Sequence, residues 1–305
     1  MKILLFGKGG QVGWELQRSL AALGELIALD FDSTDHCGDF TNPSGLTETV
    51  RTIRPDIIVN AGAHTAVDKA ESEPDLVRTL NALAPRTLAQ EAKSSNAWLV
   101  HYSTDYVFDG SGSTPWLETD TPAPLNVYGR TKLEGEQLIR DSGCKHLIFR
   151  TSWVYGARGG NFAKTMLKLA QEREVLKVID DQCGAPTGAE LLADVTAHAI
   201  RQVMAASSFS VPALSGTYHL VAKGQTTWFE YANVVLALAK HTQIATKLIV
   251  NSVEPVPSSA FPTTARRPLN SQLNTAKLES TFNLTLPHWK SGVARMLTEY
   301  IEKQT

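Results

Sequence analysis

The stretch that decides the fold is Lys2-Ile3-Leu4-Leu5-Phe6 followed by Gly7-Lys8-Gly9-Gly10-Gln11-Val12-Gly13. A short apolar run leads into a glycine-rich turn, and residues 14–20 continue in helical register. A strand, a glycine turn and a helix start in this order let the backbone approach a diphosphate, whose charge meets the free N–H groups of the helix N-terminus. The spacing is GxxGxxG rather than GxGxxG, so a purely structural turn stays open as the alternative.

Four further short apolar runs, at 26–29, 56–59, 97–102 and 146–149, are separated by segments long enough for helices. Their nearly continuous apolar character predicts strands that are covered on both faces. Residues 85–93 predict one of the intervening helices, since helix formers follow a proline in the first turn. The pattern as a whole predicts an α/β fold with a doubly wound parallel sheet of the Rossmann type.

The length of 305 residues leaves room for a second, smaller lobe. We predict a dinucleotide-binding domain at 1–154 and a mainly substrate-binding lobe at 155–305, part of which returns to the first domain. Helical patterns at 162–172, 191–206 and 229–240 lie in the second part. Four prolines within 253–268 predict an irregular loop over a surface or cleft.

The charge balance narrows the classes of partner. Lys and Arg number 29 against 31 Asp and Glu, a formal net charge of -2, which argues against binding to nucleic acid or an anionic membrane. No apolar run approaches the ~18 residues of a membrane span, and the first residues do not form a signal peptide, so we expect a cytoplasmic protein. Cys37, Cys144 and Cys183 are few and widely spaced, which favours reduced thiols over a disulfide framework or a zinc site.

Several residues at the carboxyl ends of the predicted strands are candidates for cofactor contacts. Asp30 ends the second strand 17 residues after Gly13, near the ~20-residue spacing at which an acidic side chain reaches the adenosine ribose. That carboxylate favours NAD(H), whereas Lys8 favours the extra phosphate of NADP(H); a turn cap and a solvated lysine are the alternatives. Asp39-Phe40 and Asn60-Ala61-Gly62-Ala63 are placed to meet the adenine and to line the cofactor.

A second group of residues points to proton transfer. Tyr128 and Lys132 lie four positions apart, on one face if the segment is helical, and a neighbouring ammonium lowers the pKa of a phenol. A YxxxK match alone is commonly accidental, but Ser103-Thr104-Asp105 follows the fourth strand and brings a hydroxyl to the same edge of the sheet.

Five long stretches carry a resemblance to the extended short-chain dehydrogenase/reductase family. They are 7–13, 60–71 (NAGAHTAVDKAE), 103–110 (STDYVFDG), 128–136 (YGRTKLEGE) and 150–156 (RTSWVYG), and 181–187 and 267–271 extend the likeness. Within that family the chain is similar to reductases that act on the 4-keto group of a dTDP-linked deoxysugar used in cell-surface polysaccharide.

The resemblance implies NADPH or NADH as cofactor. It makes Tyr128 the proton donor to the sugar 4-keto oxygen, Lys132 the residue that tunes the phenol and binds the nicotinamide ribose, and Thr104 a hydrogen-bond partner of the same oxygen. The implied cofactor contacts are Gly7, Gly10, Gln11, Val12, Gly13, Asp30, Asp39, Phe40, Ala61, Gly62, Ala63, His64, Thr65, Tyr102, Tyr128 and Lys132. Homodimers that contain magnesium are also implied, but the sequence shows no ligand spacing and we assign no metal residues.

The expected substrate contacts are Thr104, Asp105, Tyr128, Trp153, Asn161 and Arg266. Asp105 is placed to bind a sugar hydroxyl and Trp153 to stack on the ligand, with core packing as the alternative for Trp153. Arg266, with its neighbour Arg267, is suited to a diphosphate unless it is solvated. Asn161 resembles a substrate-phosphate contact, and helix capping is its alternative.

Two other functions stay open. A nucleotide-sugar epimerase or 4,6-dehydratase uses the same Thr, Tyr and Lys, but the dehydratase has Asp-Glu after the Thr where this chain has Asp105-Tyr106. A non-catalytic NADP-binding regulatory subunit, such as that of methionine adenosyltransferase, shares the resemblance. The presence of all three catalytic residue types favours the reductase.

Overall fold

A computed structural model describes residues 1–206 and 211–303 of the chain. Its strands are β1 (Lys2–Phe6), β2 (Glu25–Leu29), β3 (Ile57–Asn60), β4 (Trp98–Thr104), β5 (Lys145–Thr151), β6 (Val154–Tyr155), β7 (Val175–Ile179), β8 (Cys183–Gly184), β9 (Thr187–Gly188), β10 (Gly216–His219), β11 (Thr226–Thr227) and β12 (Ser252–Val256). Its α-helices are α1 (Gln11–Ala21), α2 (Pro43–Ile53), α3 (Val67–Ala70), α4 (Pro74–Arg78), α5 (Ala84–Ser95), α6 (Val127–Ser142), α7 (Phe162–Ala170), α8 (Ala189–Ala205), α9 (Val211–Leu214), α10 (Trp228–Ala239), α11 (Ala276–Phe282) and α12 (Trp289–Glu302).

A six-stranded parallel sheet forms the centre of the molecule, in the order β10-β5-β4-β3-β1-β2. Every residue of β3 and β4 is buried, as expected for strands covered on both faces. The predicted doubly wound α/β fold is therefore confirmed. The strand order reverses beside β1, which opens a crevice for ligands at the carboxyl ends of β1 and β3.

The apolar core falls into clusters on either side of the sheet and in a separate lobe. Leu192 and Ile200 of α8 pack with β1, β3 and β5, and Phe282 of α11 joins the same cluster. With β10 in the sheet, three elements from the second half thus contact the first. A separate cluster joins α7, α10 and α12. The division at residue 154 stays a prediction, and residues 207–210 and 304–305 of the predicted lobe lie outside the described residues.

The prediction of an irregular loop at 253–268 is wrong for its first residues. Residues Ser252–Val256 form β12, which pairs in parallel with β7 in a two-stranded sheet. Proline has no backbone N–H group to donate. Pro255 is tolerated because one edge of this two-stranded sheet is free, so a donor is not needed at every position. The remainder contains one short 3-10 turn, Ser258–Ala260, and is otherwise irregular up to Asn270.

Between α4 and α5 the helix widens into a π segment, Thr79–Leu83. The wide turn carries the buried Asn81, whose amide accepts the His64 N–H at 2.8 Å and donates to the His64 carbonyl at 3.1 Å. The π segment therefore fixes the loop that follows β3, a use typical of such turns. Among the described helices, none combines the length and the apolar character that crossing a membrane requires.

Candidate functional site

The turn between β1 and α1 is shaped to receive an anion. Gly7 has a φ of +84°, and a Cβ at Gly13 would overlap the Gly7 carbonyl, so both positions require glycine. Gly10 is the N-cap of α1 and provides no side-chain cap, and the first turn of the helix contains no acidic residue. The N–H groups of Gln11, Val12 and Gly13 are therefore left for a diphosphate.

Beside this turn lies a cavity of about 310 Å³. It is lined by Gly7, Gly10, Asp30, Phe31, Gly38, Asp39, Phe40, Ala61, Gly62, Ala63 and Leu80. Most of these residues belong to the predicted cofactor set, which the fold thus brings together. Phe31, Gly38 and Leu80 were missed; the signal for Phe31 was an aromatic residue directly after Asp30, and it is 75% exposed.

The side chains around the cavity are held by local contacts. Asp30 accepts the Gly9 N–H at 2.9 Å through one carboxylate oxygen, and Asp39 accepts the Thr41 N–H at 2.8 Å. Phe40 packs edge-to-face on Phe6 with 5.8 Å between ring centroids. These contacts present Asp30 and the Phe40 ring at the carboxyl ends of the strands.

Three other predicted cofactor residues, His64, Thr65 and Tyr102, differ in their exposure and contacts. His64 is half-buried and its ring lies 3.8 Å from Glu73, while Thr65 is exposed. The Tyr102 phenol faces away from the strand ends, because it is hydrogen bonded to Thr196 of α8 at 2.5 Å and is buried in the core. Any cofactor contact of Tyr102 therefore depends on its backbone.

Tyr128 is the second residue of α6 and lies beside the end of β4. Burial raises the pKa of Tyr128 to about 12, while a hydrogen bond with Thr104 lowers it and the Asp105 charge raises it. The ring packs edge-to-face on Tyr106, with 5.7 Å between centroids. The structure thus brings Tyr128, Thr104 and Asp105 together, as the sequence predicted.

The expectation that Lys132 lowers the pKa of Tyr128 is not met in this geometry. Lys132 is 2% exposed, and its Nζ donates to the Tyr102 carbonyl at 2.6 Å and lies 3.1 Å from His101 Nε2. Burial lowers the pKa of Lys132 to about 8, with the Glu136 charge acting in the opposite direction. The amine is directed to β4, and burial dominates the pKa of the phenol.

Asp105 adds a second perturbed group at this edge. Burial raises the pKa of Asp105 to about 7, although hydrogen bonds from Ser271 and Thr104 act in the opposite direction. The Thr104 hydroxyl donates to Asp105 Oδ1 at 3.0 Å. Perturbed pKa values of neighbouring groups in a cleft are typical of active sites. The Ser271 contact was not predicted, because it comes from a distant loop.

Trp153 and Asn161 lie in the segment that leads into the second lobe. The Trp153 ring stacks on Trp228 with 3.6 Å between centroids, and its backbone φ is +49°. Asn161 caps α7: it accepts the Lys164 N–H at 3.2 Å and donates to the Gly156 carbonyl at 2.8 Å. The oxygen and the nitrogen of the Asn161 side-chain amide are thus both bonded locally. A substrate role for Trp153 or Asn161 stays a prediction.

The two arginines after the irregular loop have different surroundings. Arg266 is exposed, and its carbonyl accepts the Asn126 side chain at 2.8 Å, which places it next to the start of α6. Arg267 pairs with Asp68 at 2.6 Å. Arg266 therefore has the freer guanidinium for an anionic substrate group.

Within 1–206 and 211–303, no three His, Cys, Asp or Glu side chains form a group that could hold a metal ion. No described residue is therefore assigned to magnesium.

Comparisons with known proteins show which family the chain resembles over its whole length. The family model of the RmlD substrate binding domain matches residues 1–302. A dTDP-4-dehydrorhamnose reductase of Escherichia coli (strain K12) is 61% identical over 299 residues, which cover 98% of each chain. The crystal structure of a dTDP-4-dehydrorhamnose reductase from Clostridium acetobutylicum is 36% identical, covers 100% of both chains and has a TM-score of 0.88. That of the Bacillus anthracis enzyme in complex with NADP is 35% identical, with 98% and 99% coverage and a TM-score of 0.85.

Proposed function

This chain belongs to the family of dTDP-4-dehydrorhamnose reductases, and from that premise we propose that it reduces the 4-keto group of dTDP-4-dehydro-L-rhamnose with NADPH or NADH. The product is dTDP-L-rhamnose, made in the last step of its biosynthesis for cell-surface polysaccharide. The observation that supports this most directly is the hydrogen bond between Tyr128 and Thr104 at the end of β4, in a fold whose glycine turn and neighbouring cavity are suited to a dinucleotide.

Tyr128 is the proton donor in this proposal. A phenol whose pKa is about 12 keeps its proton at neutral pH and is ready to give it to an oxygen that becomes an alkoxide. Thr104 is placed to hydrogen bond to the same oxygen and stabilises the charge that develops there. Reduced nicotinamide, when bound, supplies the hydride to C4.

Lys132 and the glycine turn serve the cofactor. The Lys132 amine has donor capacity beyond its bond to the Tyr102 carbonyl, and we assign it to the nicotinamide ribose. The free N–H groups at the start of α1 hold the diphosphate, and Asp30 and Phe40 receive the adenosine. We assign Asp105 to a sugar hydroxyl, Trp153 to the sugar or base and Arg266 to the substrate diphosphate.

The identity of residue 106 favours reduction over elimination of water. Tyr106 stands where the dehydratase pattern has a glutamate, and its ring packs against Tyr128. Tyrosine has a phenol in place of the carboxylate, and burial raises the pKa of that phenol, so it keeps its proton and is not a base near neutral pH. A dehydratase or epimerase also recycles its nicotinamide, whereas a reductase consumes one equivalent for each product.

The decisive experiment supplies dTDP-4-dehydro-L-rhamnose with NADPH or NADH, follows the nicotinamide and identifies the sugar product by NMR. We expect stoichiometric oxidation of the cofactor and formation of dTDP-L-rhamnose. Catalytic cofactor use, or no oxidation together with co-purification of a synthetase, would favour the alternatives.

Tyr128→Phe tests the assigned donor. Because a positioned proton donor contributes roughly 10²–10⁴-fold, we expect turnover to fall by that factor while NADPH binding, measured by fluorescence titration, is retained. Tyr231→Phe is the matched control: Tyr231 is buried in the lobe, and its hydroxyl has no hydrogen-bond partner within the described residues. Turnover of Tyr128→Phe close to that of the control would remove Tyr128 from the mechanism.

We also propose a homodimer in the cytoplasm. Trp14 of α1 is exposed, and Arg158 Cζ lies 4.1 Å from the centroid of its ring. Together with Arg18 and Arg295, Trp14 supplies an apolar and charged surface for a second copy of the chain. The three cysteines are free, as expected in a reducing compartment. Light scattering of the purified protein measures the oligomeric state, and a monomer would contradict the dimer.

A further inference from the structure

A buried chain of hydrogen bonds runs from the loop after β3 to Lys132. The Gly62 N–H donates to Asn60 Oδ1 at 3.0 Å, and Asn60 Nδ2 lies 3.0 Å from His101 Nδ1. His101 Nε2 in turn lies 3.1 Å from Lys132 Nζ, which donates to the Tyr102 carbonyl at 2.6 Å. Asn60, His101 and Lys132 are 1%, 0% and 2% exposed, so solvent does not complete or reverse these bonds.

The direction of each bond follows from its neighbour. A backbone N–H can only donate, so Asn60 Oδ1 is an acceptor and the other end of the amide, Nδ2, faces His101 as a donor. His101 Nδ1 must then accept, which leaves the proton of a neutral imidazole on Nε2. An Nε2–H that points at Lys132 Nζ meets a lone pair only if the amine is uncharged, because an ammonium group has no acceptor.

We propose that His101 is a positioning residue of the reductase: held by Asn60 as its Nε2–H tautomer, it donates to Lys132 Nζ and favours the neutral amine of that lysine. The inference deepens the proposed function, because it rests on Lys132 binding the nicotinamide ribose. It also makes Asn60 part of the arrangement, through the tautomer of the imidazole and without contact with Lys132.

The charges around Lys132 agree with this assignment. Glu136, one turn further along α6, favours the ammonium form, but its carboxylate is engaged by Arg150 of β5 at 2.7 Å and by Arg140 at 3.1 Å. Tyr128 on the same helix is neutral because its pKa is raised. Burial, the larger cause, lowers the pKa of His101 well below its usual value, so the imidazole is neutral whether Lys132 is charged or not.

The consequence is a proton that Lys132 gains or loses near neutral pH. A neutral amine has one donor fewer for the nicotinamide ribose than an ammonium group, so turnover falls as pH rises through the pKa of Lys132, and the tautomer of His101 sets where that decline occurs. A residue that only filled space at position 101 would leave this part of the pH profile unchanged.

The test measures the tautomer and the lysine directly. NMR of protein labelled with ¹⁵N histidine reports which ring nitrogen of His101 carries the proton, and ¹³Cε lysine labelling follows Lys132, with Lys132→Gln as the assignment control. We expect the Nε2–H tautomer. In Asn60→Asp the carboxylate accepts from both Gly62 N–H and the imidazole, so we expect the Nδ1–H tautomer and a rise in the Lys132 titration midpoint of about one pH unit or more.

A second, uncharged variant separates the tautomer from the added charge. In His101→Gln the amide oxygen can turn to Lys132, and we expect the midpoint and the alkaline limb of kcat to move upward together. His146→Gln, at the start of β5, should change neither the Lys132 midpoint nor the alkaline limb of kcat. An Nδ1–H tautomer in the wild-type protein, or an unchanged Lys132 midpoint in both variants, would overturn the proposal. Because neither NMR measurement requires turnover, its failure is distinguishable from failure of the reductase assignment.

Discussion

Burial sets the protonation of single side chains at the end of β4. Asp105 is 3% exposed and its pKa is raised to about 7, so at neutral pH a large fraction of the folded molecules carries a neutral carboxyl beside Thr104. A carboxyl that is easily protonated can donate as well as accept a hydrogen bond, which suits a contact with a sugar hydroxyl. The cost of charging this group appears in the stability of the protein.

Replacing Asp105 with Asn should therefore change how stability depends on pH. The folded-state pKa is higher than the unfolded one, so the native state binds more protons and stability falls as pH rises from about 4 to about 7, then stays level. The loss amounts to at most about 4 kcal/mol. Urea unfolding across this range should show the decline in the wild-type protein and a smaller one in Asp105→Asn.

Asp109→Asn provides a control of opposite sign. A hydrogen bond from the Ser111 N–H lowers the pKa of Asp109, so this carboxylate contributes stability that is lost as pH falls. The stability of Asp109→Asn should therefore decrease less than that of the wild-type protein as pH falls. Identical pH profiles for the wild-type protein and Asp105→Asn would show that the Asp105 carboxyl titrates normally.

The start of helix α6 sets the position of Tyr128. Asn126 caps the helix by accepting the Gly129 N–H at 2.8 Å, and its amide also donates to the Arg266 carbonyl at 2.8 Å. Glu71 accepts the Val127 N–H at 2.6 Å from the other side. Two of the free N–H groups of the first turn are thereby bound, and the helix start is tied to two loops from distant parts of the sequence.

Asn126→Ala should reduce both stability and turnover. Loss of a cap costs about 1 kcal/mol, and loss of the Arg266 tie adds to it. Since Tyr128 lies two residues further on, we expect a several-fold lower kcat with a smaller effect on KM for NADPH. His288→Ala is the control, because His288 accepts the Lys290 N–H at 3.3 Å at the start of α12, in the lobe. A lower kcat in both variants, in proportion to stability, would mean that the Asn126 cap has no specific link to Tyr128.

Local patterns in the sequence predict the strands of the sheet, but they do not predict contacts between segments that are far apart in the chain. Apolar runs and the glycine turn were sufficient for β1, β3, β4 and β5, because a buried parallel strand shows its burial in its own composition. The run at 26–29 also predicted β2, but this edge strand has only one buried residue and is not covered on both faces as expected. The resemblance to the reductase family implied that Tyr128 and Thr104 act on the same substrate oxygen, so their meeting was expected. The direction of Lys132 toward His101, the Ser271 contact and the strand at Pro255 depend on residues far away in the chain, which no short pattern reveals.

A buried ion pair joins α6 to strand β5 of the central sheet. Glu136 of α6 is fully buried, and Arg150 of β5 donates two hydrogen bonds to it, at 2.9 and 2.7 Å. Burial acts to raise the pKa of Glu136, but hydrogen bonds and charge from Arg150 outweigh it and the pKa is lowered. Arg150 also lies over the Phe108 ring at 5.1 Å, so the pair connects α6, β5 and the segment after β4.

Glu136→Gln should therefore destabilise the whole fold. The substitution leaves the Arg150 guanidinium buried without its counter-charge, a loss of about 3–5 kcal/mol, whereas an exposed pair contributes at most about 1 kcal/mol. Glu91→Gln is the matched control: Glu91 is itself buried and accepts two hydrogen bonds from Arg51 at 2.8 and 2.9 Å, but the Arg51 side chain is 68% exposed, so water solvates the guanidinium that remains. Urea unfolding of both variants measures the difference. Equal losses would mean that water reaches Arg150 as readily as Arg51, and that the pair does not link the sheet to α6 energetically.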